Sequence, residues 1–252
     1  MITLNGTEIK PTIFPDRTSQ VWKLGNELPF ASACEVVWEF ENEAELSHLI
    51  QLKFLLDQNH NASSLYMPYL PYARQDKEIG NTSTFALIPF LRVLRWLNFC
   101  QYKAFDVHNP APCFDILRDF VNLQPITEVN FAFTDSGADC ILYPDAGAYE
   151  RYGQLFKHHL SFSCKKDRNQ STGTIVSVTM NTLTANAIKG KRVLIGDDLC
   201  DGGATFVQIA TMLRNIDCES SLYVSHGIFS KGTQVLRDAG IRNIYTRKGK
   251  VN

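Results

Sequence analysis

Apolar positions along the chain alternate between helical and strand-like periods. From Asn42 to Gln58, Leu46, Leu49, Ile50, Phe54 and Leu55 recur at helical spacing, which predicts one amphipathic face. Ser64–Tyr69 reads as a short strand. Ser83–Leu97 returns to the helical period, with Thr82 or Ser83 as the expected N-cap. Tyr102–Val107 and Cys140–Tyr143 read as strands, and a helix is expected from about Ala148. Thr174–Met180 alternates and is β-branched, the pattern of another strand. Arg192–Ile195 is a short apolar strand that runs into Gly196-Asp197-Asp198. A helix over Ala204–Asn215, a strand over Ser221–Ser225 and a helix over Lys231–Ala239 complete the series.

Strand–helix alternation of this kind builds α/β folds with mostly parallel sheets. It runs twice here, so two similar lobes are expected, residues 1–138 and 139–252. Such sheets bind ligands at the C-terminal ends of their strands, and this chain places its polar clusters there.

Composition narrows the function classes. The chain has 252 residues, 44% apolar and 20% charged, which excludes disorder, collagen-like and coiled-coil classes. Lys plus Arg number 25 against 26 Asp plus Glu, for a net charge of -1. With no basic stripe interleaved with aromatics, no nucleic-acid partner is expected. The opening MITLNGTEIKPTIF has no apolar signal core, and the longest apolar stretch, Phe85 to Phe99, is broken by Arg92 and Arg95. No membrane partner is expected, and a cytoplasmic location is. The seven cysteines are odd in number, widely spaced and without a CxxC, so buried or free thiols are expected ahead of disulfides or zinc.

The sharpest chemical signal is Val193-Leu194-Ile195-Gly196-Asp197-Asp198-Leu199-Cys200-Asp201-Gly202-Gly203-Ala204-Thr205. An apolar strand ends in two carboxylates suited to sugar hydroxyls. A small-residue loop then opens a helix, and both backbone amides and the helix N-terminus favour a phosphate there. Thr205 adds a hydroxyl donor.

This string resembles the phosphoribosyl-pyrophosphate motif shared by phosphoribosyltransferases and ribose-phosphate pyrophosphokinases. Met67-Pro68-Tyr69-Leu70-Pro71-Tyr72-Ala73-Arg74-Gln75-Asp76-Lys77 resembles the PYxxYARQDR segment that only the second family carries. Phe105-Asp106-Val107-His108 resembles its DLH, Pro144-Asp145-Ala146-Gly147-Ala148 its PDxGG, and Lys166-Asp167-Arg168 the K-x-R of its catalytic loop. Ser225-His226-Gly227-Ile228-Phe229-Ser230 resembles T-H-G-x-F-S. Phe14-Pro15-Asp16 with Thr18 resembles the hairpin that contacts adenine across a subunit interface.

The resemblance implies two phosphoribosyltransferase-like, Rossmann-like lobes and transfer of the β,γ-pyrophosphoryl group of ATP to the 1-hydroxyl of ribose 5-phosphate, releasing AMP. It implies ATP binding by Phe14, Asp16, Arg74, Gln75, Asp76 and His108, and Mg2+ near His108 and Asp145. Catalysis would fall to Lys166, Arg168 and His108, and ribose-phosphate binding to Asp197, Asp198, Asp201, Gly202, Gly203, Ala204 and Thr205. It also implies a homo-oligomer, at least a dimer. A phosphoribosyltransferase and a regulatory homologue without catalysis are the competing readings. The first lacks the Arg74 segment, and the second would not need Lys166, Arg168 and His108.

The departures carry their own expectations. Gly202 stands where the family has a hydroxyl residue that grips the 5-phosphate, and Ala204 and Ala148 stand where it has glycines. If position 204 must be left-handed, alanine costs about 1–2 kcal/mol there and the loop changes shape. The Asp201–Thr205 loop and the short chain resemble a phage-associated branch that makes ADP-ribose pyrophosphate from ADP-ribose and ATP for NAD rebuilding. That branch implies ADP-ribose as the acceptor ahead of ribose 5-phosphate, and the host cytoplasm as the location.

Overall fold

A computed structural model of the chain describes residues 1–25, 28, 30–78, 82–168 and 175–251, with backbone alone at 167, 168, 175 and 176. The chain divides into two units, Met1–Gln124 and Pro125–Asn252.

The first unit opens with β1 (Ile2–Leu4) and β2 (Thr7–Glu8), then a small hairpin of β3 (Thr12–Ile13) and β4 (Ser19–Gln20). The remainder alternates strand and helix: β5 (Ala33–Trp38), α1 (Glu45–Gln58), β6 (Ala62–Met67), α2 (Leu87–Leu97), β7 (Gln101–Phe105), α3 (Ala111–Ile116) and β8 (Phe120–Leu123). The sheet order is β2-β1-β5-β6-β7-β8. The β5 to β8 pairings are parallel, while β1 adds to β5 antiparallel. Period-2 alternation sends Val36, Trp38, Leu65, Met67, Tyr102 and Ala104 into one apolar cluster with Leu49, Leu52 and Leu56 of α1 and Leu87, Leu91 and Leu94 of α2. The alternate positions, such as Glu35, Ser64 and Lys103, stay partly exposed, and Lys103 pairs with Glu35 at 3.1 Å.

The second unit comprises α4 (Ile126–Ser136), β9 (Cys140–Tyr143), α5 (Ala146–Tyr152), β10 (Ser161–Ser163), β11 (Lys165–Arg168), β12 (Ile175–Thr179), α6 (Thr182–Ile188), β13 (Arg192–Cys200), α7 (Ala204–Arg214), β14 (Glu219–Gly227), α8 (Gln234–Asp238), β15 (Ile241–Thr246) and β16 (Gly249–Val251). Its sheet order is β10-β9-β13-β14-β15-β16, parallel except for the β15–β16 edge. Both faces are covered. Cys140, Leu142, Val193, Ile195, Leu222 and Val224 pack with Phe206, Ile209 and Leu213 of α7. Ile141, Tyr143, Leu194, Tyr223 and Tyr245 pack on the other side with α4 and α5. Strands buried on both faces read as unbroken apolar runs, as in Cys140–Tyr143. The order reverses between β9 and β13, and that switch point is where open α/β sheets hold ligands.

The α/β architecture with mostly parallel sheets agrees with the sequence reading. Several boundaries differ. The units part between Gln124 and Pro125, not after residue 138, because Val129 and Ala132 of α4 pack with Tyr143, Leu194 and Tyr223. Helix α2 starts at Leu87 with Ala86 at its N-cap and no side-chain cap bond, so neither Thr82 nor Ser83 caps it. The last helix covers Gln234–Asp238, because Phe229 and Gly232 turn the chain first with φ of 48° and 71°.

Candidate active site

In the first unit, adjacent parallel strands β6 and β7 end side by side, and their following loops bring Arg74 to His108. Arg74 Nη1 lies 3.2 Å from His108 Nδ1. The loop after β6 turns at Tyr72, whose φ is +63°, and the loop after β7 turns at Asp106, at +46°. Left-handed backbone at a non-glycine residue costs about 1–2 kcal/mol and is held by the surrounding structure. Leu123 O accepts from Asp106 N at 2.8 Å, and the Tyr72 ring packs 5.0 Å from Phe90. Arg74 and Gln75 are exposed. Asp76 is different: it is 7% exposed and accepts from Asn109 Nδ2 at 3.1 Å. It fixes the His108 loop and is not presented to solvent.

The β3–β4 hairpin presents Phe14, 36% exposed, and Asp16. Asp16 Oδ1 accepts from Thr18 N at 3.0 Å and from Thr18 Oγ1 at 2.7 Å. The Thr18 hydroxyl holds the Asp16 carboxyl below the ordinary range. Thr18 therefore serves to fix Asp16 within its own turn.

In the second unit, Asp145 follows β9 and caps α5, its Oδ1 accepting from Ala148 N at 2.9 Å. Ala148 is buried inside that helix, so the position makes no demand for glycine. Asp145 Oδ2 lies 3.8 Å from Lys166 Nζ, whose side chain is 8% exposed. Lys166 sits on β11 opposite Val178 of β12. A cavity of about 860 Å3 opens here, lined by Asp145, Gly147, Lys165, Lys166, Met180 and Asn181 among others. Arg168 ends β11, and its side chain lies outside what the structure describes. Cys164 also borders the cavity, but burial pushes its thiol up to about 12, so it is not a thiolate nucleophile.

The acidic pair on β13 separates into two environments. Asp198 is 2% exposed, with Oδ1 3.2 Å from Arg151 Nη1 of α5. Asp197 is half-buried, and its Oδ1 accepts from Asp198 N at 2.9 Å. Burial first, and the Asp198 charge second, raise the Asp197 carboxyl well above its ordinary 3.8. A carboxyl raised in the fold stabilises most while protonated. That contribution is full below 3.8 and is lost as pH rises through the raised value. Asp197→Asn, which keeps the acceptor oxygen, is therefore expected to resist urea better than the native protein at pH 7. Near pH 3 the two should match, and equal urea midpoints at both pH values would contradict the assignment.

The Asp201–Thr205 loop corrects one sequence expectation. Ala204 is the first residue of α7; the left-handed residue is Gly203, with φ of +78°. A Cβ at Gly203 would stand 3.0 Å from Leu236, whereas Ala204 lies in the helix without strain. Gly203→Ala is expected to cost about 1–2 kcal/mol for the backbone alone, read from urea unfolding. Asp201 is exposed, Gly202 is half-buried, and Thr205 is buried on α7.

Sequence reasoning missed two residues at this site. Arg151 follows the Asp145 motif on the same helix, but nothing local pairs it with Asp198. Lys231 directly follows the Ser225–Ser230 motif, and its aliphatic chain lies over Gly202. Among the described residues, no group of three His, Cys, Asp or Glu side chains could hold a metal by itself.

Comparison with known proteins narrows what such a switch point serves. No family model matches the chain. The ribose-phosphate pyrophosphokinase of Thermococcus kodakarensis is 29% identical over 233 residues, 89% of this chain and 79% of the relative. That of Pyrococcus abyssi is 28% identical over 235 residues, 91% and 79% respectively. The chain is a relative of the ribose-phosphate pyrophosphokinases. The fold agrees: phosphoribosylpyrophosphate synthetase from Mycobacterium smegmatis superposes with a TM-score of 0.75 over 95% of this chain and 79% of that one, at 17% identity. Among the described residues, no helix is long and apolar enough to cross a membrane.

Proposed function

We propose that this protein is a pyrophosphokinase that moves the β,γ-pyrophosphoryl group of ATP to the anomeric hydroxyl of a 5-phosphorylated ribose. The observation that carries this is the second unit's switch point, in a chain related over about nine-tenths of its length to ribose-phosphate pyrophosphokinases. There an anion-binding loop and the Lys166–Asp145 pair follow the ends of parallel strands.

In this reading the sugar O1 attacks the β-phosphorus of ATP. The O1–Pβ bond forms, the bond from Pβ to the bridging oxygen of the α-phosphate breaks, AMP leaves, and the hydroxyl proton passes to water. Charge spreads over phosphoryl oxygens, so the protein's task is positioning and neutralisation. Arg74 and Gln75 hold the nucleotide phosphates, with the planar fork of Arg74 oriented beside His108. Phe14 offers an exposed ring for the adenine. Lys166 faces the transferring group. Asp197 accepts from the ribose hydroxyls, while buried Asp198 braces it through its backbone amide. The Asp201–Thr205 loop and the start of α7 receive the 5-phosphate.

Mg2+ is the cofactor we infer. Magnesium is ordinarily held through one or two carboxylates plus substrate phosphates, and Asp145, with one oxygen capping a helix and the other facing Lys166, fits that donor set. Asp145 would hold it, and it would supply charge neutralisation on the phosphates. A homodimer or larger assembly is part of the same proposal, since the hairpin bearing Phe14 and Asp16 would serve a neighbouring subunit's adenine.

One observation bears on the acceptor. Gly202 lacks the hydroxyl suited to gripping a terminal phosphate, a grip that a phosphate continuing into a diphosphate does not require. This favours ADP-ribose; the kinship with ribose-phosphate pyrophosphokinases favours ribose 5-phosphate. The test is AMP release from Mg-ATP with each acceptor supplied alone. Faster turnover with ADP-ribose supports the finer reading, faster turnover with ribose 5-phosphate overturns it, and no AMP with either overturns the proposal.

A further inference from the structure

Position 202 has lost a side chain, but the loop has not lost a contact group. Strands β13 and β14 run in parallel register, with Cys200 opposite Gly227, so the loops after them leave the sheet together. Cys200 O accepts from both Ile228 N, at 2.8 Å, and Phe229 N, at 3.2 Å, which ties the second loop down onto the first. Gly227 makes this possible: a Cβ there would stand 2.1 Å from the Phe229 ring. Phe229 and Gly232 then turn the chain at positive φ, with Phe229 O accepting from Gly232 N at 2.7 Å. Lys231 is thereby laid along Gly202. Its Cγ, Cδ and Cε come 3.9, 3.7 and 3.6 Å from where a Cβ of residue 202 would be, closing in toward the ammonium end. Lys231 is exposed, so its charge faces solvent beside the anion loop and the N-terminus of α7.

We propose that Lys231 is an acceptor-binding residue of this site, its ammonium contacting the phosphate on C5 of the sugar in place of the hydroxyl missing at Gly202. The inference rests on the pyrophosphokinase reading above and adds to it the residue that reads the phosphate. An ammonium is a point charge on a flexible stem, unlike a fixed hydroxyl donor. It therefore accepts either a terminal phosphate monoester or the first phosphate of a diphosphate, and both ribose 5-phosphate and ADP-ribose present that group.

The test is steady-state kinetics on the full chain with Lys231→Ala, Lys231→Arg and Lys231→Ala/Gly202→Ser, each checked for unchanged melting temperature. A residue at 202 meets only ordinary contacts and no left-handed φ, so the serine is sterically allowed. Lys231→Ala should raise the acceptor KM about tenfold or more, the scale of one lost charged contact, with kcat and the KM for ATP within about threefold. Lys231→Arg should recover most of the loss. Added salt should raise the acceptor KM of the native protein and leave that of Lys231→Ala nearly flat. The double variant should recover ribose 5-phosphate better than ADP-ribose. If native protein turns over either acceptor and Lys231→Ala has the same acceptor KM, or loses only kcat, the inference is wrong and the pyrophosphokinase reading stands. If native protein releases AMP with neither acceptor, both fall.

Discussion

Lys166→Ala is expected to lower AMP release roughly 100- to 1,000-fold while the protein stays folded. The Lys166 side chain is only 8% exposed and its ammonium is 3.8 Å from Asp145. A cation held in that setting is oriented before substrate arrives, and a preoriented donor acts on charge that develops as the Pβ bond breaks. The loss should therefore appear in kcat, with the KM for ATP changed little. Asp145 is 32% exposed and keeps its helix-capping bond, so stability should change by no more than about 1 kcal/mol. Lys166→Arg restores the charge as a planar fork, a shape mismatched to a point contact, and should recover activity only in part. AMP measured by coupled assay, with thermal melts of each variant, checks this. Unchanged AMP release from Lys166→Ala would remove Lys166 from the catalytic machinery.

The largest stability effect is expected at Arg151. Arg151→Met leaves Asp198, 2% exposed, as a buried charge without its guanidinium. Breaking a buried pair by removing one partner costs about 3–5 kcal/mol, a fall in Tm of roughly 6–20 °C for a chain of this size. The double variant Arg151→Met/Asp198→Asn removes the stranded charge with its partner and should regain most of that loss. Melting curves for the two single variants and the double close the cycle. A double variant no more stable than Arg151→Met would show that the Asp198 charge is not what Arg151 compensates. The pair also matters to the site. Asp198 braces Asp197 through its backbone amide, so the single variant should weaken acceptor binding as well.

Strands buried on both faces were the most legible in the sequence, because an unbroken apolar run such as Cys140–Tyr143 admits few alternatives. Strand β5 carries a strict alternation, Cys34, Val36 and Trp38 inward against Glu35, yet it lies beside a polar stretch and its period is short. Helix α4 buries only Val129 and Ala132 and leaves Ile126 and Phe131 exposed, so its apolar stripe is too narrow to mark a helix or its unit. The site was legible as motifs and not as geometry. Asp197 and Asp198 look equivalent side by side, and only the fold distinguishes the half-buried one from the one paired to Arg151. The glycine that the phosphate loop needs lies one residue earlier than the motif comparison suggested, at Gly203, because α7 begins at Ala204. Lys231 was invisible for a different reason. Its role depends on two parallel strand ends meeting, which no local pattern encodes.

The central claim is that both the β- and γ-phosphates of ATP move together onto the sugar. The most direct measurement supplies ATP labelled at its β- and γ-phosphates, Mg2+ and an acceptor, and follows the label and the nucleotide product together. The account predicts unlabelled AMP in equimolar amount with a sugar carrying both labels on O1. Formation of ADP with a singly labelled sugar, or of labelled free phosphate with no sugar product, would contradict it.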